Sequence, residues 1–161
     1  MIVSNTSPLI YLGKRGFLSL LHKCFNKIII PDTVYSEVNF LAESIEAIAM
    51  KKAIIEKWLS VENIKINDSL NESIIQKGEK EAISLALKYK SKILLDDDVA
   101  KYYASVFGLE PHGTLYVLHL SFIKKFISKE RVKEILDLMI ADGFYISTEL
   151  YAEFLDLLNY K

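Results

Sequence analysis

The residues best suited to chemistry are concentrated near the middle of the chain, at positions 78–98, where the sequence reads GEKEAISLALKYKSKILLDDD. Glu79 and Glu81 fall in the first turn of a predicted helix, and three aspartates at 96–98 follow the short apolar run ILL. Carboxylate oxygens are the ligands that Mg²⁺ and Mn²⁺ prefer. A divalent cation held by them can activate water and stabilise charge on a phosphodiester during in-line displacement. The stretch therefore indicates half of an acidic site for such chemistry.

Other oxygen-bearing side chains follow the predicted strands near the N-terminus. Asn5 comes directly after the strand-like start MIVS, and Glu37 lies one turn into the helix that follows the second strand, KIII. Because the carboxyl ends of parallel strands meet at one edge of a sheet, we expect Asn5, Asp96 and Asp97 to lie close together. Glu81 then stands at a helix N-terminus facing the same edge. Without a cation, such carboxylates repel one another, and at least one should hold its proton at neutral pH.

The elements that must position these residues alternate between strand and helix at least four times along the chain. This alternation predicts an α/β fold in which helices cover both faces of a parallel sheet. Ser7 as N-cap, with Pro8 at the first helical position, predicts the start of the first helix. The predicted strands cover residues 1–4, 27–30, 61–66, 93–95 and 109–111. Helices are predicted between them, including one over 44–59 and a short one ending near Gly78.

The last third of the chain is helical in its pattern, with helices predicted over 129–141 and 148–158. No obvious linker precedes it. We therefore expect a single domain over residues 1–161, with a core over about 1–120 and a C-terminal helical extension over about 121–161.

Composition narrows the class of protein. A chain of 161 residues that is 51% hydrophobic and 25% charged is typical of one folded globular domain. The net charge of −1 argues against binding nucleic acid by overall electrostatic attraction. The one cysteine, Cys24, fits a reducing compartment, and neither a membrane-spanning run nor a signal peptide is evident. The expected location is the cytoplasm, away from the membrane.

Four motifs in this order resemble those of the PIN-domain family: NTSPLI, PDTVYSEV, GEKEAISLA and ILLDDD. The resemblance covers residues 1 to about 120 and is closest to prokaryotic members with a GExEAI helix. It implies a three-layer α/β/α fold and a ribonuclease that cleaves single-stranded RNA with Mg²⁺ or Mn²⁺. Such proteins are often the toxin of a toxin–antitoxin pair, and they are commonly homodimers. By position, the resemblance implies an acidic site with Ser7 supporting the first ligand, made of Asn5, Glu37, Glu81, Asp96 and Asp97.

Asn5 departs from the family pattern, which usually has aspartate at this position. An amide oxygen can still bind a hard cation, but the site has one negative charge fewer, which should lower its metal affinity. The alternative function is therefore a PIN-like module that binds RNA or protein and no longer cleaves.

Each candidate residue also has a purely structural interpretation. The three aspartates at 96–98 could cap the following helix, for which Asp98 is a candidate, and Glu79 and Glu81 could complement the helix dipole. Asn5 could form a turn with nearby backbone, and Glu37 could be a solvated helix residue. A phosphatase loop of the Asp-x-Asp-x-Thr type is disfavoured because the sequence from residue 96 to 100, DDDVA, lacks the threonine.

Overall fold

A five-stranded parallel sheet forms the centre of the protein in the computed structural model, which describes residues 1–159. The strands are β1 (Ile2–Ser4), β2 (Ile28–Pro31), β3 (Leu59–Glu62), β4 (Ile93–Leu94) and β5 (Pro111–His112). Their order across the sheet is β3-β2-β1-β4-β5, and all the pairings are parallel. The predicted α/β fold with a central parallel sheet is confirmed.

Helices follow the strands in the order that the sequence pattern predicts. They are α1 (Thr6–Lys14), α2 (Ser19–Phe25), α3 (Asp32–Val38), α4 (Ile45–Ile55), α5 (Lys77–Tyr89), α6 (Asp98–Val106), α7 (Thr114–Ile123), α8 (Lys129–Ala141) and α9 (Thr148–Leu157). A single turn of 3₁₀ helix at Asp68–Leu70 precedes α5. Within residues 1–159, no helix is long and apolar enough to cross a membrane.

The strands bury side chains on both faces, which gives the three layers. Ile2 and Ile28 point into a larger apolar cluster with helices including α1, α2 and α4, whereas Val3 and Ile29 point into a second cluster with α5 and α6. Successive residues of a strand point to opposite faces of the sheet, so β1 and β2, whose residues are all buried, are suited only to a sheet covered on both sides.

The C-terminal helices pack on the same core as the N-terminal strands. Val132 and Met139 of α8 and Phe154 of α9 are buried in the larger cluster. At the surface, Arg15 donates two hydrogen bonds to the carboxylate of Asp142, with N–O distances of 2.8 and 2.7 Å. The extension is thus held to the end of α1 by both apolar packing and a bidentate ion pair.

The predicted start of the first helix is wrong by two residues. Asn5 occupies the N-cap position with extended backbone, and the helix begins at Thr6 rather than at Pro8. Ser7 therefore lies inside the first turn and is not the N-cap. Pro8 is tolerated there because the N–H groups of a first helical turn have no intrahelical partner to lose.

Three predictions between β2 and α5 are also wrong. The helix predicted over 44–59 ends at Ile55, since Lys57 adopts a left-handed conformation (φ 64°) that interrupts it. The edge strand follows at Leu59–Glu62 instead of 61–66, although it does lie at the edge, beside β2. Within the described chain, the short helix expected before Gly78 is absent apart from the 3₁₀ turn, and α5 itself begins at Lys77.

Candidate active site

The strand order reverses direction between β1 and β4, and the candidate residues lie where these two strands end. Asn5 directly follows β1, and its backbone N–H donates to the carbonyl of Leu94 at 3.0 Å. Asp96 and Asp97 follow β4 after one further buried residue, Leu95. In open α/β sheets the crevice at such a reversal is the usual ligand site.

Thr6 links Asn5 to Glu37. The side chain of Asn5 is buried. In the part of the chain that the structure describes, it makes no capping hydrogen bond to its own helix. Its Oδ1 lies 3.5 Å from the hydroxyl oxygen of Thr6. The same hydroxyl donates a hydrogen bond to Oε2 of Glu37. In the described part of the chain, Ser7 makes no hydrogen bond to these residues. No signal in the sequence indicated Thr6, because the family resemblance assigned the supporting role to its neighbour Ser7.

A glycine lets Glu37 reach the first turn of α5. A Cβ built on Gly78 would lie 3.1 Å from Oε1 of Glu37 and 3.4 Å from Oε2, which is closer than side chains normally approach. The carboxylate thus lies against the N-terminal end of α5, where the helix dipole favours negative charge. Close packing against Glu37 therefore explains why the GEKEAI sequence begins with a glycine. The backbone of this glycine is not left-handed, so its conformation does not require glycine.

Glu79 is the glutamate of α5 on which the charges of Glu37 and Asp97 act, although the sequence favoured Glu81. It is 8% exposed, and its Oε2 accepts the N–H of Gln76 at 2.9 Å in a capping box at the start of α5. Burial raises the pKa of Glu79, and the negative charges of Asp97 and Glu37 raise it further. These three carboxylates therefore share one electrostatic environment.

Glu81 faces a different neighbour. Its Oε2 accepts the backbone N–H of Thr33 at 3.3 Å, and its Oε1 lies 3.5 Å from Nζ of Lys77. It therefore connects α5 to the first turn of α3, which carries Glu37 one turn later. Residues two positions apart on a helix point in nearly opposite directions, about 200° apart, which separates the two glutamates.

The three consecutive aspartates have three different environments. Asp97 is exposed and caps α6, with Oδ1 accepting the N–H of Ala100 at 2.8 Å. Asp96 accepts two hydrogen bonds of 2.7 Å from Thr114, one from the backbone N–H and one from the hydroxyl. Burial raises the pKa of Asp96, while the bonds from Thr114 lower it. Asp98 is almost fully exposed and pairs with Lys101.

Comparison with known proteins identifies the family. A family model described as "PIN domain" matches residues 1–160. The chain belongs to the PIN-domain family. A solved structure with the same fold is a PilT N-terminus domain protein from the hyperthermophilic archaeon Sulfolobus solfataricus P2. It superposes with a TM-score of 0.53 at 14% identity, covering 73% of this chain and 90% of that one. No curated protein matches the sequence.

PIN domains are usually nucleases and generally use divalent metal ions. The donor set of this PIN domain fits such an ion, since Asn5, Glu37, Glu79 and Asp97 each have an oxygen that can bind a hard cation and the charges acting on Glu79 are both negative. In residues 1–159, no three acidic, histidine or cysteine side chains lie close enough together to hold an ion jointly.

Replacing Glu79 with glutamine is expected to stabilise this PIN domain in metal-free buffer at neutral pH. An acid whose pKa is raised by folding favours the folded state below its unfolded pKa of about 4.3. That contribution to stability is lost as the pH rises through the raised pKa of Glu79 in the folded state. At neutral pH, the ionised Glu79 carboxylate therefore lowers the free energy of unfolding. Glutamine cannot ionise, and its amide oxygen can still accept from Gln76.

Urea denaturation of both proteins in EDTA, at pH values from about 4 to about 8, tests this expectation. The acid end of this pH range reaches the pKa of glutamate in the unfolded chain, about 4.3. The gain in the free energy of unfolding should be largest at neutral pH and should disappear towards the acid end. Glu81→Gln is the control, because it removes the ion pair with Lys77 and should give no such gain. A gain that did not depend on pH would contradict the assignment.

Proposed function

We propose that this PIN domain is a divalent-cation-dependent endoribonuclease that acts on single-stranded RNA. The observation that carries the proposal is the shared environment of Glu37, Glu79 and Asp97 beside Asn5, at the carboxyl ends of β1 and β4. Membership in a family of nucleases supports phosphodiester cleavage. The resemblance of the GEKEAISLA and ILLDDD motifs to those of prokaryotic PIN-domain ribonucleases supports RNA as the substrate.

Four residues would hold the cation: Asn5, Glu37, Glu79 and Asp97. A bound divalent cation supplies Lewis acidity and neutralises charge on the phosphodiester. The protein's own part is to position the donors. Thr6 orients Asn5 and Glu37, the capping box fixes Oε2 of Glu79 and leaves Oε1 for a ligand, and the helix cap fixes one oxygen of Asp97.

The direct test is cleavage of a 5′-labelled single-stranded RNA by the pure protein with Mn²⁺, with Mg²⁺ and with EDTA. We expect cleavage with either metal and none in EDTA. Titration of Mn²⁺ into metal-free protein by calorimetry provides the second measurement, and its saturating heat should disappear in Asp97→Ala. RNA binding without cleavage under every metal condition would favour the alternative of a non-cleaving PIN-like module.

Restoring the usual aspartate, Asn5→Asp, is expected to raise the affinity for Mn²⁺ by about tenfold, because an added carboxylate strengthens the attraction for a divalent cation. The rate of RNA cleavage at limiting Mn²⁺ should rise with it. Calorimetry gives the affinity and initial rates give the activity.

Asn5→Ala is the matched control, since it removes the amide oxygen and should bind Mn²⁺ more weakly than the natural protein. Equal affinity in all three proteins would show that position 5 does not contact the cation. An active Asn5→Asp variant beside an inactive natural protein would show that the natural chain has lost cleavage.

We also propose a protein partner, namely an antitoxin or a second copy of the chain. The support is an apolar surface from the end of α3 into α4, where Phe40 is 86% exposed and Leu41, Ile45 and Ile48 are also exposed. Light scattering should then give a mass of twice the 18.4 kDa of one chain, or the mass of a complex with the partner. The buried, unpaired Cys24 fits action in the reducing cytoplasm.

A further inference from the structure

A cavity of about 360 Å³ opens beside the candidate active site. Its walls come from three separate parts of the chain. The loop after β4 contributes Asp96 and Asp98, the start of α7 contributes Gly113 and Leu115, and the segment between α8 and α9 contributes residues 144–147. Asp96 is adjacent in sequence to Asp97, so the cavity and the candidate site share one loop.

The chemistry of the walls fits a flat aromatic ligand. Leu115, Phe144 and Ile146 form apolar surfaces, while Asp98 and Lys101 place an acceptor and a donor at the rim. Tyr145 also lines the cavity, and its side chain is 88% exposed. Small-molecule sites typically combine mostly apolar walls with a few polar groups, in volumes of roughly 300–1,000 Å³. Proteins that read single-stranded RNA stack splayed bases on aromatic rings and bond their polar edges.

We propose that this cavity receives an unpaired base of the RNA strand next to the phosphodiester at the acidic site. The inference rests on the proposed ribonuclease function and adds to it a subsite that selects for single-stranded substrate. A paired base cannot enter, because its polar edge is already bonded and its faces are stacked within the duplex. The C-terminal extension thereby gains a role in substrate binding.

The charges at the rim favour a base over a phosphate. Lys101 is already paired with Asp98 at 3.1 Å, and Asp96 contributes a further carboxyl group to the wall. A second anion would therefore meet net negative charge, whereas a neutral base would meet both a donor and acceptors. A larger cavity of about 450 Å³, lined by Lys90 and Lys92, lies at the opposite end of the sheet, before β4, and is remote from the acidic site.

The wall from the C-terminal extension is held in place by contacts with α1. The rings of Tyr11 and Phe144 meet edge to face with centroids 5.2 Å apart, and the Tyr11 hydroxyl donates to the carbonyl of Gly143 at 3.2 Å. The ion pair between Arg15 and Asp142 fixes the preceding turn. The apolar back of the cavity is thus preformed, while Tyr145 at its mouth remains exposed for stacking.

The test is a titration of the four nucleoside 5′-monophosphates, and of ribose 5-phosphate, into ¹⁵N-labelled metal-free protein. We expect saturable shifts of the Leu115, Tyr145 and Ile146 amide signals with at least one nucleotide and none with ribose 5-phosphate. Absence of saturation with all four nucleotides up to about 10 mM, an affinity too weak for a specific subsite, overturns the proposal. Equal shifts with ribose 5-phosphate overturn it too, since the ligand would then be the anion.

Variants at the mouth of the cavity identify the stacking contact. Tyr145→Ala should weaken nucleotide binding about tenfold, as loss of one base-stacking contact does, and Tyr145→Phe should retain it. Tyr102→Ala is the control, because Tyr102 is another exposed tyrosine that does not line the cavity. Unchanged affinity in Tyr145→Ala overturns the proposal.

The two proposals can fail separately. Base-dependent binding at Tyr145 in a protein that cleaves no RNA with Mn²⁺ would refute the nuclease function and leave the base site standing. Metal-dependent cleavage in a protein whose cavity signals do not respond to nucleotides would leave the nuclease function standing and refute the base site.

Discussion

Replacing Asp97 with asparagine is expected to lower the rate of Mn²⁺-dependent RNA cleavage at least about a thousandfold, roughly 4 kcal/mol of transition-state stabilisation. The carboxylate of Asp97 acts on buried Glu79 through its charge, and Asp97, like Glu37, is exposed to solvent. Asparagine is as good an N-cap as aspartate, so the bond to the Ala100 N–H can persist and α6 should remain capped. Initial cleavage rates and thermal melting curves would measure the two effects separately.

The matched control is Asp98→Asn, which removes a charge from the next residue in the chain. Asp98 is solvent-exposed and paired with Lys101, and the asparagine amide keeps an acceptor at the rim of the cavity, so neither the rate at saturating RNA nor the melting temperature should change appreciably. Equal loss of activity in both variants would mean that overall charge at this loop, rather than the carboxylate of Asp97, supports cleavage. An Asp97→Asn protein that kept activity within about tenfold would exclude Asp97 from the catalytic group.

Replacing Asp96 with alanine is expected to lower the free energy of unfolding by about 3 kcal/mol. Asp96 accepts from both the N–H and the hydroxyl of Thr114, and Thr114 is fully buried at the start of α7. Without the carboxylate, two polar groups stay buried without these partners, each at a cost of about 1–3 kcal/mol. Urea denaturation at neutral pH gives the free energy directly.

Asp98→Ala serves as the reference for the stability measurement, and its expected change is below about 0.5 kcal/mol because an exposed ion pair contributes little. A similarly small change in Asp96→Ala would show that water replaces the lost acceptor and that α7 does not depend on Asp96. If the activity of Asp96→Ala falls only in proportion to the fraction of protein that is unfolded, Asp96 has a positioning role.

The sequence predicted the edge of the sheet at which the candidate site lies. Short apolar strands alternating with helices specify a parallel sheet covered on both faces, and the polar residue after each strand must then emerge at the carboxyl edge. The places of Asn5 and Asp97 at this edge were predicted in this way, because they depend on where β1 and β4 end. The start of α1 was wrong by two residues, since both Asn5 and Ser7 are suitable caps.

The structure gives the two glutamates of α5 different surroundings, and it does the same for the three aspartates after β4. The local sequence does not specify these differences. Glu79 and Glu81 both lie in the first turns, and the rotation of the helix about its axis determines which one feels the charge of Asp97 and which one contacts Thr33. That rotation follows from packing, including the close approach of Glu37 to Gly78. A residue's neighbours along the chain do not encode this contact, because Glu37 and Gly78 are brought together only by the fold.

The sequence by itself thus determined the fold class, the sheet edge and the set of oxygen donors from which a site could be built. Only the tertiary structure decided that Thr6 contacts Glu37, that Asp96 holds α7, and that the α8–α9 segment forms a cavity wall. The physical reason is the range of the interactions. Strand and helix patterns arise between residues a few positions apart, whereas these contacts join residues far apart in the chain and depend on how whole helices pack on the sheet.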